Sequence, residues 1–473
     1  MKIKSLFDSS LFNIRSSVGK ISLWSLLFPI LFESATSTVL STVNTAVISR
    51  YSEDAAAAIG ACTPIIAMLL LVQSVVSLGS TVIISNNIGA KDIRSAREVS
   101  YTGAFISAFC ALFMIPVVLI FSSGIMTLQN LNGEIFDIAV KYFHIRVIFL
   151  VSHALCSYFC AVLRCYGYAR YTFYVGVINN VLNLIFSLIS VNISGIEAES
   201  AVEIMAFGCG VASTVSLICV IFFLKKRSIG INKPRALADF FGAARRILNI
   251  GVPSAISSMT FTASQIVTTA FVVMISGYAL TAKVIYTQIL SYAYLFSYSA
   301  GSANAVLIGI RCGAGEYDEM NRMNRHLFRI TCIVNLIVSL SIVAFRVPLV
   351  SVFTENAEII ALAAGVFAVD ILTEQGRAVS HVYEYALRSV GDVWMGLVAL
   401  VSSCLVFGIG LSYLLAIGVG LGLVGCWIGL AADECFRAVF MYGRWRVVLA
   451  RLQKKKSDLP QCSKNNKNNI SVI

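Results

Sequence analysis

The sequence Leu-Arg-Cys-Tyr-Gly at 163–167 returns as Leu-Arg-Ser-Val-Gly at 387–391, 224 positions later. The same offset separates Pro29 from Pro253, since 253 minus 29 is also 224. Further landmarks at this offset are Thr45-Ala46 with Thr269-Ala270, Gly89-Ala90 with Gly313-Ala314, and Glu134 with Glu358. A shared ungapped register that includes proline, glycine, arginine and glutamate predicts an internal duplication over most of the chain.

The composition indicates that the duplicated unit lies in a membrane. Of the 473 residues, 58% are hydrophobic and 13% are charged, whereas soluble proteins carry about 25% charged residues. Apolar runs long enough to cross about 30 Å of hydrocarbon recur along the whole sequence. Because these runs do not alternate every second residue, they predict an all-α polytopic membrane protein and not a barrel.

Twelve membrane-spanning helices are predicted, six in each half. In the first half they are Ile21–Ile48, Ala55–Ser85, Tyr101–Phe121, Phe136–Leu163, Phe173–Ile193 and Val202–Leu224. In the second half they are Ile247–Ile275, Leu280–Ile310, Leu327–Phe345, Ile359–Leu387, Trp394–Ile417 and Gly422–Tyr442. We expect the first run to be a membrane helix and not a cleaved signal, because it is far longer than a signal-peptide core.

Lysine and arginine cluster in alternate connections, and cytoplasmic loops hold the positive excess. The basic set includes Lys91, Arg170, the connection from Lys225 to Arg246, and Arg322, whereas the opposite set is acidic through Glu134, Asp137, Glu197, Glu199 and Glu203. Both termini fall on the basic side, so we expect both in the cytoplasm. The net charge of +12 is then a topology signal beside anionic lipid, and nucleic acid is not an expected partner.

Five segments follow from this topology. They are a cytoplasmic N-terminus (1–20), an N-terminal six-helix lobe (21–224), a basic linker between lobes (225–246), a C-terminal six-helix lobe (247–450) and a disordered cytoplasmic tail (451–473). Because each repeat holds an even number of spans, the two repeats enter the membrane from the same side. Such parallel repeats are typical of transporters, which place a substrate cavity between the halves.

The repeated motifs resemble those of the multidrug and toxic compound extrusion (MATE) family. The segments that carry this resemblance are Asn44-Thr45-Ala46, Ile88-Gly89-Ala90-Lys91-Asp92, Cys312-Gly313-Ala314-Gly315, Leu163–Gly167 with Asn180 and Asn183, Leu387–Asp392, Glu374–Ala378, and Asp433-Glu434 with Arg437. The resemblance implies a secondary antiporter in the cell membrane. Two lobes would alternate between inward and outward openings and expel cationic or amphipathic organic compounds as H⁺ or Na⁺ enters.

Acidic residues within spans are the candidates for coupling, because an ionisable side chain there costs about 2.5–3.5 kcal/mol on insertion scales. Asp370 and Glu374 lie one helical turn apart, and Arg377 follows on the same side. We interpret these three as a proton or Na⁺ site, against the alternative of a static ion-pair network. Glu33 is a further candidate, since it lies four residues after the bend expected at Pro29.

The N-terminal half departs from the family pattern. Many members place Asp at the positions of Asn44 and Ser187, so the family's proton site cannot be carried over to these residues. We expect Asn44, Asn180, Asn183, Tyr292 and Phe296 to line the substrate cavity, and Pro29 and Pro253 to bend their helices. At the repeat offset, Arg146 corresponds to Asp370 and His153 to Arg377, and Asp433 with Arg437 is typical of a structural pair.

Two alternatives remain open from the residues. One is a flippase for a lipid-linked saccharide or another lipid, as in related families, although the acid-rich interior favours export of cations. The other is a membrane enzyme, which the absence of metal, nucleophile and phosphate-loop motifs in the sequence disfavours. We therefore expect no enzyme activity, no cofactor beyond the coupling ion, no metal other than Na⁺, and a monomer that binds a small organic substrate and membrane lipid.

Overall fold

The computed structural model describes residues 12–128, 133–192 and 198–458, and nearly all of them are helical. A short antiparallel hairpin of β1 (Asn13–Ser16) and β2 (Gly19–Ser22) precedes the helices. The helices of the first half are α1 Leu23–Tyr51, α2 Glu53–Gly89, α3 Ile93–Leu128, α4 Gly133–Ile148, α5 Leu150–Cys165, α6 Ala169–Asn192 and α7 Ala198–Lys226.

The second half begins with α8 Leu237–Ile275 and continues with α9 Gly277–Gly313, α10 Tyr317–Ala344, α11 Arg346–Ser351, α12 Ala357–Ser389, α13 Trp394–Ser403 and α14 Gly422–Asp458. Helix α13 is extended by π-helical turns at Cys404–Leu411 and Leu414–Gly418. The predicted all-α fold is confirmed, and most predicted span ends fall within a few residues of a helix end.

Within the described residues, eight helices are long and apolar enough to cross a membrane, and the bent pair α4–α5 counts as a ninth span. Three further long helices, α9, α12 and α14, hold most of the buried charged side chains and complete the set of twelve. The span predicted over Phe136–Leu163 is not one straight helix, because α4 and α5 meet at a bend of 50°.

The helix boundaries repeat with the offset of the sequence duplication. Both ends of α2 and α9 correspond, as do the starts of α3 and α10, and α12 begins and ends where the α4–α5 pair does. The turns correspond as well: Gly167 has φ 82° and Gly391 has φ 85°. The amide of Tyr168 donates to the carbonyl of Leu163 at 2.9 Å, and Asp392 repeats this bond at 3.0 Å to Leu387.

The turns after α2 and α9 have the same backbone conformation, although one has lysine where the other has glycine. Lys91 has φ 64° and its repeat equivalent Gly315 has φ 71°. A lysine in this left-handed region is uncommon, because only glycine enters it without a steric cost. The turn therefore has the same geometry with lysine at position 91 as with glycine at position 315.

The chain divides into two compact units. The N-terminal unit comprises Trp24–Ile84 and Asp92–Ala255. The C-terminal unit comprises the chain from Ile256 onward, the short segment Ser85–Lys91 and the hairpin before Trp24. Each has its own apolar core, centred on Phe143 and Val147 in the first and on Tyr286 and Phe367 in the second.

Three predictions about helix ends and bends need comment. Helix α14 continues to Asp458, so the disorder predicted for the tail is wrong from 451 to 458, and the remainder lies outside the described residues. Helices α1 and α8 run without interruption through Pro29 and Pro253. The bends predicted at these two prolines stay predictions. A bend of 50° falls at Phe149, between α4 and α5, where the sequence has no proline.

Small residues allow the last turn of α2 to meet α9 at backbone distance within the C-terminal unit. A Cβ atom added at Gly313 would overlap the carbonyl oxygen of Asn86, and one added at Gly89 would overlap that of Ile310. These two contacts exchange under the repeat offset, so the crossing has local twofold character.

We predict that Gly313→Ala lowers the stability of the purified protein by about 1–3 kcal/mol, because the added methyl group must displace backbone. Gly443→Ala is the matched control, since Gly443 lies in α14 with no atom within 4 Å of an added Cβ. Thermal unfolding in detergent tests this prediction. Equal midpoints for the two variants would show that the crossing tolerates a side chain.

Candidate functional site

Six charged side chains meet in the interior of the C-terminal unit. Helix α12 contributes Asp370, Glu374 and Arg377, and helix α14 contributes Asp433, Glu434 and Arg437. We call these six residues the charged cluster. The four carboxylate residues are at most 3% exposed, although charged side chains are almost never fully buried without partners.

Five members of the charged cluster form a chain of ion pairs. Arg377 Nη1 lies 2.5 Å from Glu374 Oε1, and its Nε lies 3.4 Å from Glu434 Oε1. Arg437 Nη2 lies 2.6 Å from the same Glu434 oxygen and 3.1 Å from Asp433 Oδ2. Glu434 therefore links the two guanidinium groups, and each guanidinium holds two carboxylates.

Asp370 differs from the other carboxylates of the cluster. Its Oδ1 accepts a hydrogen bond from the Tyr286 hydroxyl, and within the described residues no lysine or arginine lies at ion-pair distance from it. The phenol ring is held between Phe367 and Trp427, with ring centroids 5.0 and 4.8 Å away. Asp370 is thus a buried carboxylate whose charge is stabilised by a neutral donor.

The charges of the cluster do not balance, because four carboxylates face two guanidinium groups. A further buried cation of the same unit is Lys283 of α9, which is 6% exposed. Its Nζ donates to Thr269 Oγ1 at 2.7 Å and lies 5.9 Å from the Trp427 ring centroid. No carboxylate among the described residues pairs with Lys283, so the excess of negative charge beside Asp370 remains.

Neutral oxygen atoms surround the excess charge. Asn335 of α10 donates through Nδ2 to Ser297 Oγ at 2.6 Å and approaches Glu374 Oε2 at 3.4 Å. Its own Oδ1 is buried without a hydrogen-bond donor, and so is Oγ1 of Thr373. Spare acceptor oxygens beside carboxylates suit a proton carried with water or a hard cation such as Na⁺.

Glycine and a π-helix permit this arrangement. A Cβ at Gly376 would lie 2.9 Å from the backbone nitrogen of Cys435, so glycine allows α12 and α14 to approach. Gly408 lies in the π-helical part of α13, and a Cβ there would lie 3.9 Å from the Asp433 carboxylate, so these π-helical turns pack against the charged cluster. π-helical turns are rare and occur often at functional sites.

The structure confirms that Asp370, Glu374 and Arg377 lie together and adds partners that sequence reasoning missed. Asp433, Glu434 and Arg437 were interpreted as a separate structural pair, and they belong to the same network. Among the neutral residues Asn335 was missed, and Tyr286 and Tyr294 were not chosen as site candidates. Their signal was a tyrosine or an asparagine inside an apolar span, which is common in helix packing.

The candidates of the N-terminal unit have different surroundings. Glu33 accepts from Arg164 Nη2 at 2.8 Å and from Thr172 Oγ1 at 3.0 Å, so its charge is compensated within that unit. Asn180 donates to Ser37 Oγ at 3.1 Å. Asn183 donates to its own helix at 2.8 Å and leaves its Oδ1 without a donor, as Asn44 does.

The aromatic candidates of α9, Tyr292 and Phe296, were predicted to line the substrate cavity. Tyr292 is 42% exposed, and Phe296 is half-buried without an aromatic partner in the described residues. Tyr294 is the tyrosine that meets the cluster: the Arg377 guanidinium lies 5.6 Å from its ring centroid, and the His381 ring lies 5.3 Å away. Tyr292 and Phe296 stay predictions for a substrate surface.

Duplicated bundles of membrane helices are typical of transporters, and comparison with known proteins assigns the family. A model of the MatE family matches residues 29–189 and again 253–414. The two matches begin at Pro29 and Pro253, in the register of the repeat. The chain therefore belongs to the MATE family of multidrug efflux transporters.

Relatives with curated sequences cover almost the whole chain. The uncharacterized transporter YisQ of Bacillus subtilis is 29% identical over 90% of this chain and 94% of its own length. A probable multidrug resistance protein NorM of Thermotoga maritima is 23% identical over 93% and 96%. A MATE crystal structure in a bent conformation superposes with a TM-score of 0.85 at 16% identity, over 92% of this chain and 96% of that one.

We predict that Arg377→Gln destabilises the protein by about 3–5 kcal/mol, because two buried carboxylates lose their shared partner. Glu374→Gln in the same chain removes one of these charges and is expected to restore part of the loss. Arg94→Gln is the control, since its pair with Glu98 is exposed and contributes at most about 1 kcal/mol. Unfolding midpoints of the single and double variants test this coupling. If the losses of stability in the two single variants simply added in the double variant, the ion-pair chain would be contradicted.

Proposed function

We propose that this protein exports organic compounds, cationic or amphipathic in character, in exchange for H⁺ or Na⁺, and that the charged cluster carries the coupling ion. Family membership supports transport, and its multidrug relatives support an organic substrate. The observation that carries the coupling assignment is the excess of buried carboxylates around Asp370, which has no cationic partner in the described residues.

An uncompensated charge inside the protein has a high energetic cost. A carboxylate in a low-dielectric interior is strongly unfavourable unless a proton, a metal ion or a basic side chain neutralises it. Here the basic side chains are already shared among the other carboxylates. A proton or Na⁺ at Asp370 or Glu374 reduces the excess of the charged cluster from two negative charges to one, and its release restores the unfavourable state.

Such a site can drive antiport when the energetic cost of its uncompensated charge differs between the conformations of the transporter. Glu434 is bound by both Arg377 and Arg437, so a small movement of α14 relative to α12 redistributes the ion pairs. When the pairs favour the charged form, the coupling ion leaves. When they favour the neutral form, the ion is taken up. The ion shifts the population towards the conformation that binds it more tightly.

Two neutral oxygen atoms of the C-terminal unit are compatible with either coupling ion. Asn335 Oδ1 and Thr373 Oγ1 lack donors and can accept from water or ligate Na⁺. No group of three His, Cys, Asp or Glu residues with metal-binding geometry occurs in the part of the chain that the structure describes. Any Na⁺ would therefore be held by two carboxylates at most, together with neutral oxygens.

The coupling residue is tested by transport in inside-out vesicles. We predict that Asp370→Asn reduces gradient-driven ethidium accumulation at least tenfold and leaves exchange without a gradient measurable, because the pocket persists while the charge is lost. Glu358→Gln, at the exposed start of the same helix, is the control and should transport as the wild type does. Unchanged coupling in both Asp370→Asn and Glu374→Gln would end this assignment.

The coupling ion is tested by collapsing each gradient separately. We expect ethidium transport to stop when one gradient, of H⁺ or of Na⁺, is dissipated and to continue when the other is dissipated. Transport that survives the loss of both gradients would contradict secondary antiport. Hydrolysis of added nucleotides by the same vesicles would indicate a nucleotide-driven pump and not a secondary antiporter.

The orientation proposed from the loop charges places the protein in the cell membrane with both termini in the cytoplasm. We predict that green fluorescent protein fused to either end is fluorescent and that alkaline phosphatase fused to either end is inactive. Active phosphatase at one terminus would overturn the assigned number or direction of spans. Elution of the purified protein as one chain per micelle would agree with the expected monomer.

A further inference from the structure

A charged side chain also lies within a membrane span of the N-terminal unit, with surroundings opposite to those of the charged cluster. Arg146 belongs to α4 and lies three residues before the bend at Phe149, near the middle of the α4–α5 span. No aspartate or glutamate in the described ranges lies within ion-pair distance of its guanidinium group. An arginine in this position has a high energetic cost unless water or an anion reaches it.

The guanidinium lines a small pocket of about 20 Å³ that is partly open. Arg146, His153 and Ser213 supply the polar part of its wall, and the rest is apolar, including Leu69 and Leu150. This volume accommodates a single water molecule or an ion of similar size. A larger organic group does not fit.

Two hydrogen-bond donors at this cavity lack acceptors. Nε of Arg146 is buried without a partner, and so is Nδ1 of His153, which donates in one of its two tautomers. Ser213 is already satisfied, since its hydroxyl donates to the Cys209 carbonyl at 2.9 Å. The unmet requirement of the site is therefore an acceptor, and a negatively charged one also neutralises the guanidinium.

The bend between α4 and α5 accounts for the cavity. The Phe149 side chain packs against Gly210 of α7, where even a Cβ atom would overlap the ring. Its ring also meets Phe207 edge-to-face, with centroids 5.8 Å apart. The equivalent helix of the other half, α12, has no such bend and carries Asp370 at the position of Arg146.

We infer that the N-terminal unit binds a compact monovalent anion, chloride or a carboxylate as small as formate, between Arg146 and His153. The guanidinium supplies the charge and one donor, the imidazole supplies a second donor, and the apolar wall excludes larger anions. The two halves thus use equivalent helix positions for ions of opposite sign.

The test uses the full-length protein in detergent with sodium chloride, sodium formate or sodium gluconate at constant ionic strength and pH. Because Na⁺ is the same in all three, an effect on the coupling-cation site cancels. We expect chloride to raise the unfolding midpoint saturably and its own chlorine-35 resonance to broaden in the presence of the protein. Gluconate should neither raise the midpoint nor relieve the broadening when it is added to the chloride sample. A response to formate as well would show that the site also accepts a small carboxylate.

Arg146→Gln is expected to weaken the anion response at least tenfold, and Arg146→Lys to weaken it less, because lysine retains the charge but not the planar group. Lys141→Gln is the matched control on the same helix, since Lys141 is half-exposed and already paired with Glu199. Equal behaviour of wild type in chloride and gluconate would overturn the proposal even if Arg146→Gln does not fold. So would an undiminished chloride response in that variant.

Discussion

The requirement that every charge inside hydrocarbon be compensated determines most of what this structure shows. A carboxylate or guanidinium without a partner costs several kcal/mol in such surroundings. In the C-terminal unit, two arginines hold three carboxylates in one chain, and Asp370 has only the Tyr286 hydroxyl. The excess charge is the feature that distinguishes a coupling site from a static network, because a static network has no need of a mobile ion.

The duplication supplies the framework on which the halves have diverged. Turns, helix ends and close glycine contacts are kept at one offset, even where Lys91 takes the backbone conformation of Gly315. Several interior polar positions are not kept. Asp370 corresponds to Arg146, the straight α12 to the bent α4–α5 pair, and the π-helical α13 to the regular α6. Packing constraints therefore preserved the scaffold, while the chemistry of each unit changed separately.

The fold could be predicted almost fully from the sequence, because span length, loop charge and repeat register are local or periodic signals. Deviations from straight helices could not: the bend at Phe149 involves no proline, and the π-helical turns after Ser403 depend on packing against α14. The site was predicted in part. Asp370, Glu374 and Arg377 share one helix face, so spacing alone brings them together, whereas their link to Glu434 depends on the approach of two distant segments at Gly376.

The most direct test of the account is a count of the ions bound by the purified protein. Proton uptake and release on a pH step, measured with an indicator dye in Na⁺-free buffer, would be combined with equilibrium binding of radioactive Na⁺ at fixed pH. The account predicts at least one exchangeable H⁺ or Na⁺ per chain in the wild type and its loss in Asp370→Asn, with Glu358→Gln unchanged. The same number of exchangeable ions in wild type and Asp370→Asn would contradict it.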